Sequence, residues 1–116
     1  MRGIALLYTG AIIALLDKDD PWHDACAAAL ENLHLPLVTS AAVFAESFHL
    51  VGDRRRDVAA AWVFLRSGAV TVAPIGDPDL PVLDELMARY HDRPMDFADA
   101  TLVHLASRES LSTIFT

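Results

Sequence analysis

A disulfide framework is excluded from the outset, because the 116-residue chain carries a single cysteine, Cys26. One thiol suits a reducing cytoplasm. Alanines surround it, so a small buried side chain is expected rather than a reactive one. No basic stretch followed by a small-residue cleavage site opens the sequence, so no secretory signal is expected. The longest apolar runs are broken by Gly10, Asp17 or Glu46, and none reaches the roughly 18–20 residues needed to cross a bilayer. A soluble, cytoplasmic protein with no membrane segment is expected. Basic residues are scarce too: 9 Lys and Arg against 16 Asp and Glu leave a net charge of −7. That balance argues against a broad electropositive nucleic-acid surface. It leaves room for an enzyme acting on RNA, since a divalent cation can offset local carboxylates and draw in a phosphate. The acid excess also favours a basic partner segment. Repeats, low-complexity tracts and linkers are missing.

What is present is ample core material, at 53% hydrophobic residues in a chain of one-domain length. We read residues 1–116 as a single domain of α/β class. Short apolar strands alternate with helical segments. Ile4–Leu7, Leu37–Thr39, Val70–Ala73 and Thr113–Phe115 read as strands, about four in all. Helices are expected over Ala11–Leu16, from Asp20-Pro21 to about Leu33, over Ala41–Val51, from Asp53 to near Ser67, from Pro78 or Asp79 to near Tyr90, and from Asp96 to about Arg108. Asp20 reads as a cap with proline at the first helical position, and Ser40 as the cap of the third helix. Gly52 closes that third helix in the usual left-handed position. Strands separated by helices imply parallel crossovers and a sheet covered on both faces. In such sheets chemistry sits at the carboxyl ends of the strands, after Leu7, Val38 and Phe115.

Three carboxylates stand out against that pattern. Glu46 lies in a helix that is apolar on nearly every face, and Ala42, Val43, His49 and Leu50 three and four residues away offer it no full cation. Such a carboxylate is costly to bury unless paired, hydrogen-bonded, protonated or bound to metal. The competing reading places Glu46 at the edge of the apolar stripe, touching water or a distant arginine. Asp96 and Asp99, spaced i,i+3 at the head of the last helix, can share a cation. The same spacing fits plain capping, with Asp96 accepting backbone N–H bonds and Asp99 complementing the helix dipole. Asp99, one turn inside, is the better metal candidate. A parallel sheet can bring both helix starts to one rim, where Mg²⁺ or Mn²⁺ would use a few carboxylates and waters.

The fragments Leu-Tyr-Thr-Gly-Ala-Ile-Ile-Ala-Leu-Leu-Asp, Asp-Asp-Pro-Trp-His, Thr-Ser-Ala-Ala-Val-Phe-Ala-Glu, Pro-Met-Asp-Phe-Ala-Asp-Ala-Thr-Leu-Val and Thr-Ile-Phe-Thr occur in this order. Together they make the chain resemble the PIN-domain family, especially its VapC-like toxins of type II toxin–antitoxin systems. The resemblance implies a three-layer α/β/α fold around a parallel sheet, and an endoribonuclease whose acids bind Mg²⁺ or Mn²⁺. In that family the metal activates water for attack on a phosphodiester and stabilises the developing charge. By position, Glu46 matches the helix glutamate, Asp99 the third acidic residue and Asp96 an additional aspartate of many relatives. Thr9 and Thr116 match hydroxyl residues lining the site. The resemblance also implies an RNA substrate, a cognate antitoxin that covers the acidic crevice, and a homodimer.

Two departures bear on activity. The family's first acidic ligand falls on Tyr8, and a neutral phenol cannot replace a carboxylate on a hard cation. Relatives usually continue with another aspartate and a final strand, whereas this sequence ends at Thr116, so that strand is expected to be missing. Weak or absent nuclease activity is therefore expected, with a catalytically silent antitoxin- or RNA-binding module as the alternative. The remaining singular residues have plainer readings. His23 and Cys26 lack the second pair that a zinc site needs, and Trp22-His23 is expected to pack the second helix onto its neighbour. His49 could hydrogen-bond Glu46 or stand partly exposed. Arg54-Arg55-Arg56, the one basic cluster, reads as a solvated helix start or a phosphate contact. Phe44, Phe48, Trp62, Phe64 and Leu65 fit core or dimer packing. No glycine-rich phosphate loop is present, and Tyr8-Thr9 and Pro74-Ile75 lack the acids of a receiver domain.

Overall fold

A computed structural model describes residues 5–31, 36–111 and 113–115. The chain runs β1 (Ala5–Leu7), α1 (Thr9–Leu16), α2 (His23–Glu31), β2 (Leu37–Thr39), α3 (Ala41–Val51), α4 (Arg55–Leu65), β3 (Val70–Val72), a 3₁₀ turn (Asp77–Asp79), α5 (Leu80–Arg89), α6 (Phe97–Arg108) and β4 (Thr113–Phe115). The four strands form one parallel sheet in the order β3-β2-β1-β4. Leu6 faces Val38 on one side and Ile114 on the other. Ala5, Leu6 and Leu7 point alternately to the two faces, yet all are fully buried. Both faces of the sheet are therefore covered at β1, which is why that strand reads as a continuous apolar run. Ile12, Val43, Leu102 and Leu105 pack onto this centre from α1, α3 and α6.

Two helix starts sit where their capping residues are. Ser40 Oγ accepts the Val43 N–H at 3.2 Å. Asp96 Oδ1 accepts the Asp99 N–H at 2.8 Å, while Asp99 Oδ2 accepts the Asp96 N–H at 3.1 Å, a reciprocal capping box.

Other expected boundaries move. The helix expected from Asp20-Pro21 starts at His23, because the Asp20 carboxylate accepts the Trp22 N–H at 2.8 Å and turns the chain first; its expected end near Leu33 lies outside the described residues. Asp53 does not cap α4: Arg54 holds that position with no side-chain bond. Gly52 has the positive φ expected of it, +88°, but its ψ of −159° is extended rather than left-handed helical, so the chain leaves α3 straight toward α4. Trp22 does not pack the helix down, being 69% exposed. His23 does, through Nδ1 at 2.7 Å from the Ala14 carbonyl oxygen of α1.

Candidate functional site

The ends of β1 and β2 are locked in register before any charged group is placed. Thr39 Oγ1, fully buried, donates to the Leu7 carbonyl at 2.9 Å. The next residues, Tyr8 and Ser40, are the N-caps of α1 and α3. α3 is then tied to α6 through a buried polar relay. Thr101 Oγ1 donates its one proton to the Ala98 carbonyl at 2.7 Å. In the 2.8 Å contact with Ser40 Oγ, serine must therefore be the donor. The chain of bonds runs Val43 N–H, Ser40, Thr101, Ala98 carbonyl, and spans both helix starts. Ser40 and Thr101 were not singled out as site residues from sequence. Ser40 was legible only as a cap, and Thr101 carries no local signal beyond lying one turn past Asp96.

This framework brings the predicted carboxylates to one rim. Ala42, Ala45 and Glu46 of α3 line a surface hollow with Asp96, Phe97 and Ala98 at the start of α6. Asp99 lies one turn further in, and its Oδ1 accepts a hydrogen bond from the Tyr8 hydroxyl. Tyr8 is thus bonded to an acid 91 residues away in the chain. Its hydroxyl is held protonated, with its pKa pushed far above the usual tyrosine value. The bond to Asp99 contributes most, then burial, then the charges of Asp99, Asp96 and Glu46. The direction follows simply: a phenolate here would face three anions. His49 is exposed and makes no bond to Glu46. Thr9, beside Tyr8, is buried, and its Oγ1 has no hydrogen-bond partner among the described residues. Thr116, the other hydroxyl expected at the site, lies outside the described residues.

Gathered is not the same as arranged for a cation. Among the described residues, no three Asp, Glu, His or Cys side chains stand as a set that can hold one metal ion. The reason lies in Asp99. Its Oδ2 is held by the Asp96 N–H, and its Oδ1 by a phenol whose proton points at the oxygen. Asp96 Oδ1 serves the cap. An octahedral ion at about 2.0–2.1 Å from Asp99 Oδ1 would have to share that oxygen with the Tyr8 hydroxyl or displace it. In this arrangement the donor set expected from Glu46, Asp96 and Asp99 does not fit a directly ligated Mg²⁺ or Mn²⁺.

A second charged cluster lies away from this rim and was not anticipated from sequence. Asp79 Oδ1 accepts from His104 Nε2 at 2.7 Å and from an Arg108 guanidinium N–H at 3.1 Å, and Oδ2 from the Gly76 N–H at 2.9 Å. The backbone bond from Gly76, then His104 and Arg108, lowers the Asp79 carboxyl to about 2 from an ordinary 3.8. His104 and Arg108, spaced i,i+4 on α6, were the one available signal; their acid partner comes from a different element. This cluster pins the start of α5 to α6.

Compared with known proteins, the sequence model of the PIN domain matches residues 5–116. Ribonuclease VapC26 of Mycobacterium tuberculosis is 31% identical over 113 residues, covering 96% of this chain and 84% of that protein. The crystal structure of M. tuberculosis VapC20, described as a sarcin-ricin loop cleaving toxin, superimposes with a TM-score of 0.86 over 97% of this chain and 88% of that one, at 21% identity. At that identity the structural likeness speaks for the fold.

Proposed function

This chain belongs to the PIN-domain family, and on that premise we propose that it is a VapC-like ribonuclease toxin domain whose Mg²⁺- or Mn²⁺-dependent hydrolysis of RNA is weakened or lost at Tyr8. Glu46, Asp96 and Asp99 are the surviving acids in this reading, and Thr9 and Thr116 the hydroxyls beside them. The observation that carries it is the hydrogen bond from Tyr8 to Asp99 on the rim shared with Glu46 and Asp96. The acids meet on one rim, but the residue at the end of β1 is a neutral donor instead of the carboxylate the family resemblance implies there. Three carboxylates with no cation among them repel a phosphodiester, so the rim as arranged opposes substrate approach.

That same bond favours a second reading, a silent module that keeps its binding partners without turnover. The partners we propose are RNA, a cognate antitoxin and a second copy of the chain. An apolar surface on α4, with Trp62 49% and Val63 72% exposed and the Trp62 ring tilted against Phe48 at a centroid distance of 4.9 Å, supports the last. A cytoplasmic setting agrees with the lone buried Cys26, and no helix among the described residues is long and apolar enough to cross a membrane.

The test sets the native chain beside Tyr8→Asp on a structured RNA with Mn²⁺. Cleavage by the variant, with little or none by the native chain, is expected. Cleavage by neither, in folded protein, overturns the ribonuclease reading in favour of the silent module.

A further inference from the structure

We propose that Tyr8 is the standing occupant of the acidic pocket: its hydroxyl takes the Asp99 oxygen that a cation would need, so the native chain holds its carboxylates together by an internal hydrogen bond and does not load a divalent metal. The inference rests on the reading of this rim as the family's acidic site, and it goes further than the loss of a ligand. A missing carboxylate weakens a metal site and leaves a gap. Here the gap is filled by a neutral donor aimed at Asp99.

Two observations carry it. Asp99 has a hydrogen bond on each oxygen, one from the Tyr8 side chain and one from the Asp96 backbone. Tyr8 is half-buried and packs against the apolar core, so its ring is fixed by contacts that do not depend on the carboxylates. A donor of this kind partly screens the repulsion among Asp99, Asp96 and Glu46, as a cation would, though without a net charge.

Blocking and absence separate in one variant. Tyr8→Ala adds no oxygen ligand but removes both the ring and the hydroxyl. Mn²⁺ binding is followed by titration calorimetry on the native chain, Tyr8→Ala, Tyr8→Phe and Tyr8→Asp, each checked for native helix content by circular dichroism. The native chain is expected to show no saturable binding, and Tyr8→Ala to gain affinity by about tenfold or more, the scale on which neighbouring groups tune a metal site. Binding by Tyr8→Asp alone, with Tyr8→Ala no better than native, would overturn the proposal and leave ligand loss as the whole explanation. Saturable binding by the native chain with Tyr8 in place would overturn it as well.

Should Tyr8→Ala fail to fold, Tyr8→Phe decides. With EDTA present, its Tm is expected to fall by roughly 4 °C or more below native, because Asp99 loses its donor beside two other acids, and Mn²⁺ should restore part of the loss. An unchanged Tm in EDTA counts against the proposal. RNA cleavage is a separate readout: if Tyr8→Ala gains Mn²⁺ while Tyr8→Asp cuts no RNA, the ribonuclease reading fails and the occupied pocket stands.

Discussion

Replacing Ser40 and Thr101, singly and together, tests the idea that a buried polar relay holds the two acidic helix starts in place. Both side chains are fully buried. Ser40→Ala removes the cap on the Val43 N–H, about 1 kcal/mol, and a hydrogen bond to Thr101 of similar net size. Thr101 still has the Ala98 carbonyl as its acceptor, so no hydroxyl is stranded and the total is about 2 kcal/mol. Thr101→Val works differently. Shape is nearly kept, but the Ser40 hydroxyl loses its acceptor in a dry environment, which costs about 1–3 kcal/mol. In the double variant no hydroxyl is left without a partner, so its cost should return to about 2 kcal/mol instead of the sum. The expected coupling is therefore about 1–3 kcal/mol, well above the scatter of roughly 0.3–0.5 kcal/mol seen for independent sites. Urea unfolding of the four proteins measures it, with the denaturant slope checked for constancy. Additive costs would refute the donor order assigned here and the claim that α3 and α6 are joined through it.

Two further outcomes follow from other parts of the molecule. Asp79 has its folded-state pKa lowered to about 2 from an ordinary 3.8, so its contribution is full above pH 4, declines as pH falls toward 2, and is gone below that; Asp79→Asn should be less stable than native at pH 7 and should converge with it in strong acid, and equal stability at pH 7 would remove the network's role. Gly10 and Gly52 both have open space where a Cβ would go, so substitutions there isolate backbone preference. Gly10→Ala, inside α1, should raise stability by about 0.5–1 kcal/mol, whereas Gly52→Ala, at φ +88° and ψ −159°, should lower it by about 1–3 kcal/mol; thermal unfolding of the pair with the same sign would contradict the assignment.

Legibility of the sequence divided along the range of the interactions involved. The α3 and α6 starts were readable because Ser40 and Asp96 act on backbone groups three residues away. Strand β1 was readable because both sheet faces are covered there, leaving an unbroken apolar run. The start of α2 was misread because Asp20 has two local uses, cap or turn, and the choice depends on how Trp22 is placed. At the site, Glu46, Asp96 and Asp99 were identifiable as a group, and Tyr8 as the departure among them. What the spacing of residues could not reveal is that Tyr8 grips Asp99, since 91 residues separate them. The Asp79 cluster escaped for the same reason: its acid and its two partners, His104 and Arg108, come from different elements, and only the fold sets them together.

The position of β1 also bears on how such a protein comes off the ribosome. Ala5 of β1 lies beside Thr113 of β4, so β1 waits for a strand synthesised much later before its second edge is paired. Closing so long a loop is slow relative to forming the helices. During synthesis β1 is exposed along one side, and Tyr8 emerges long before the aspartate it will bind. Assembly of the acidic rim is thus timed by translation, and a nascent chain stalled short of α6 has no such rim to offer.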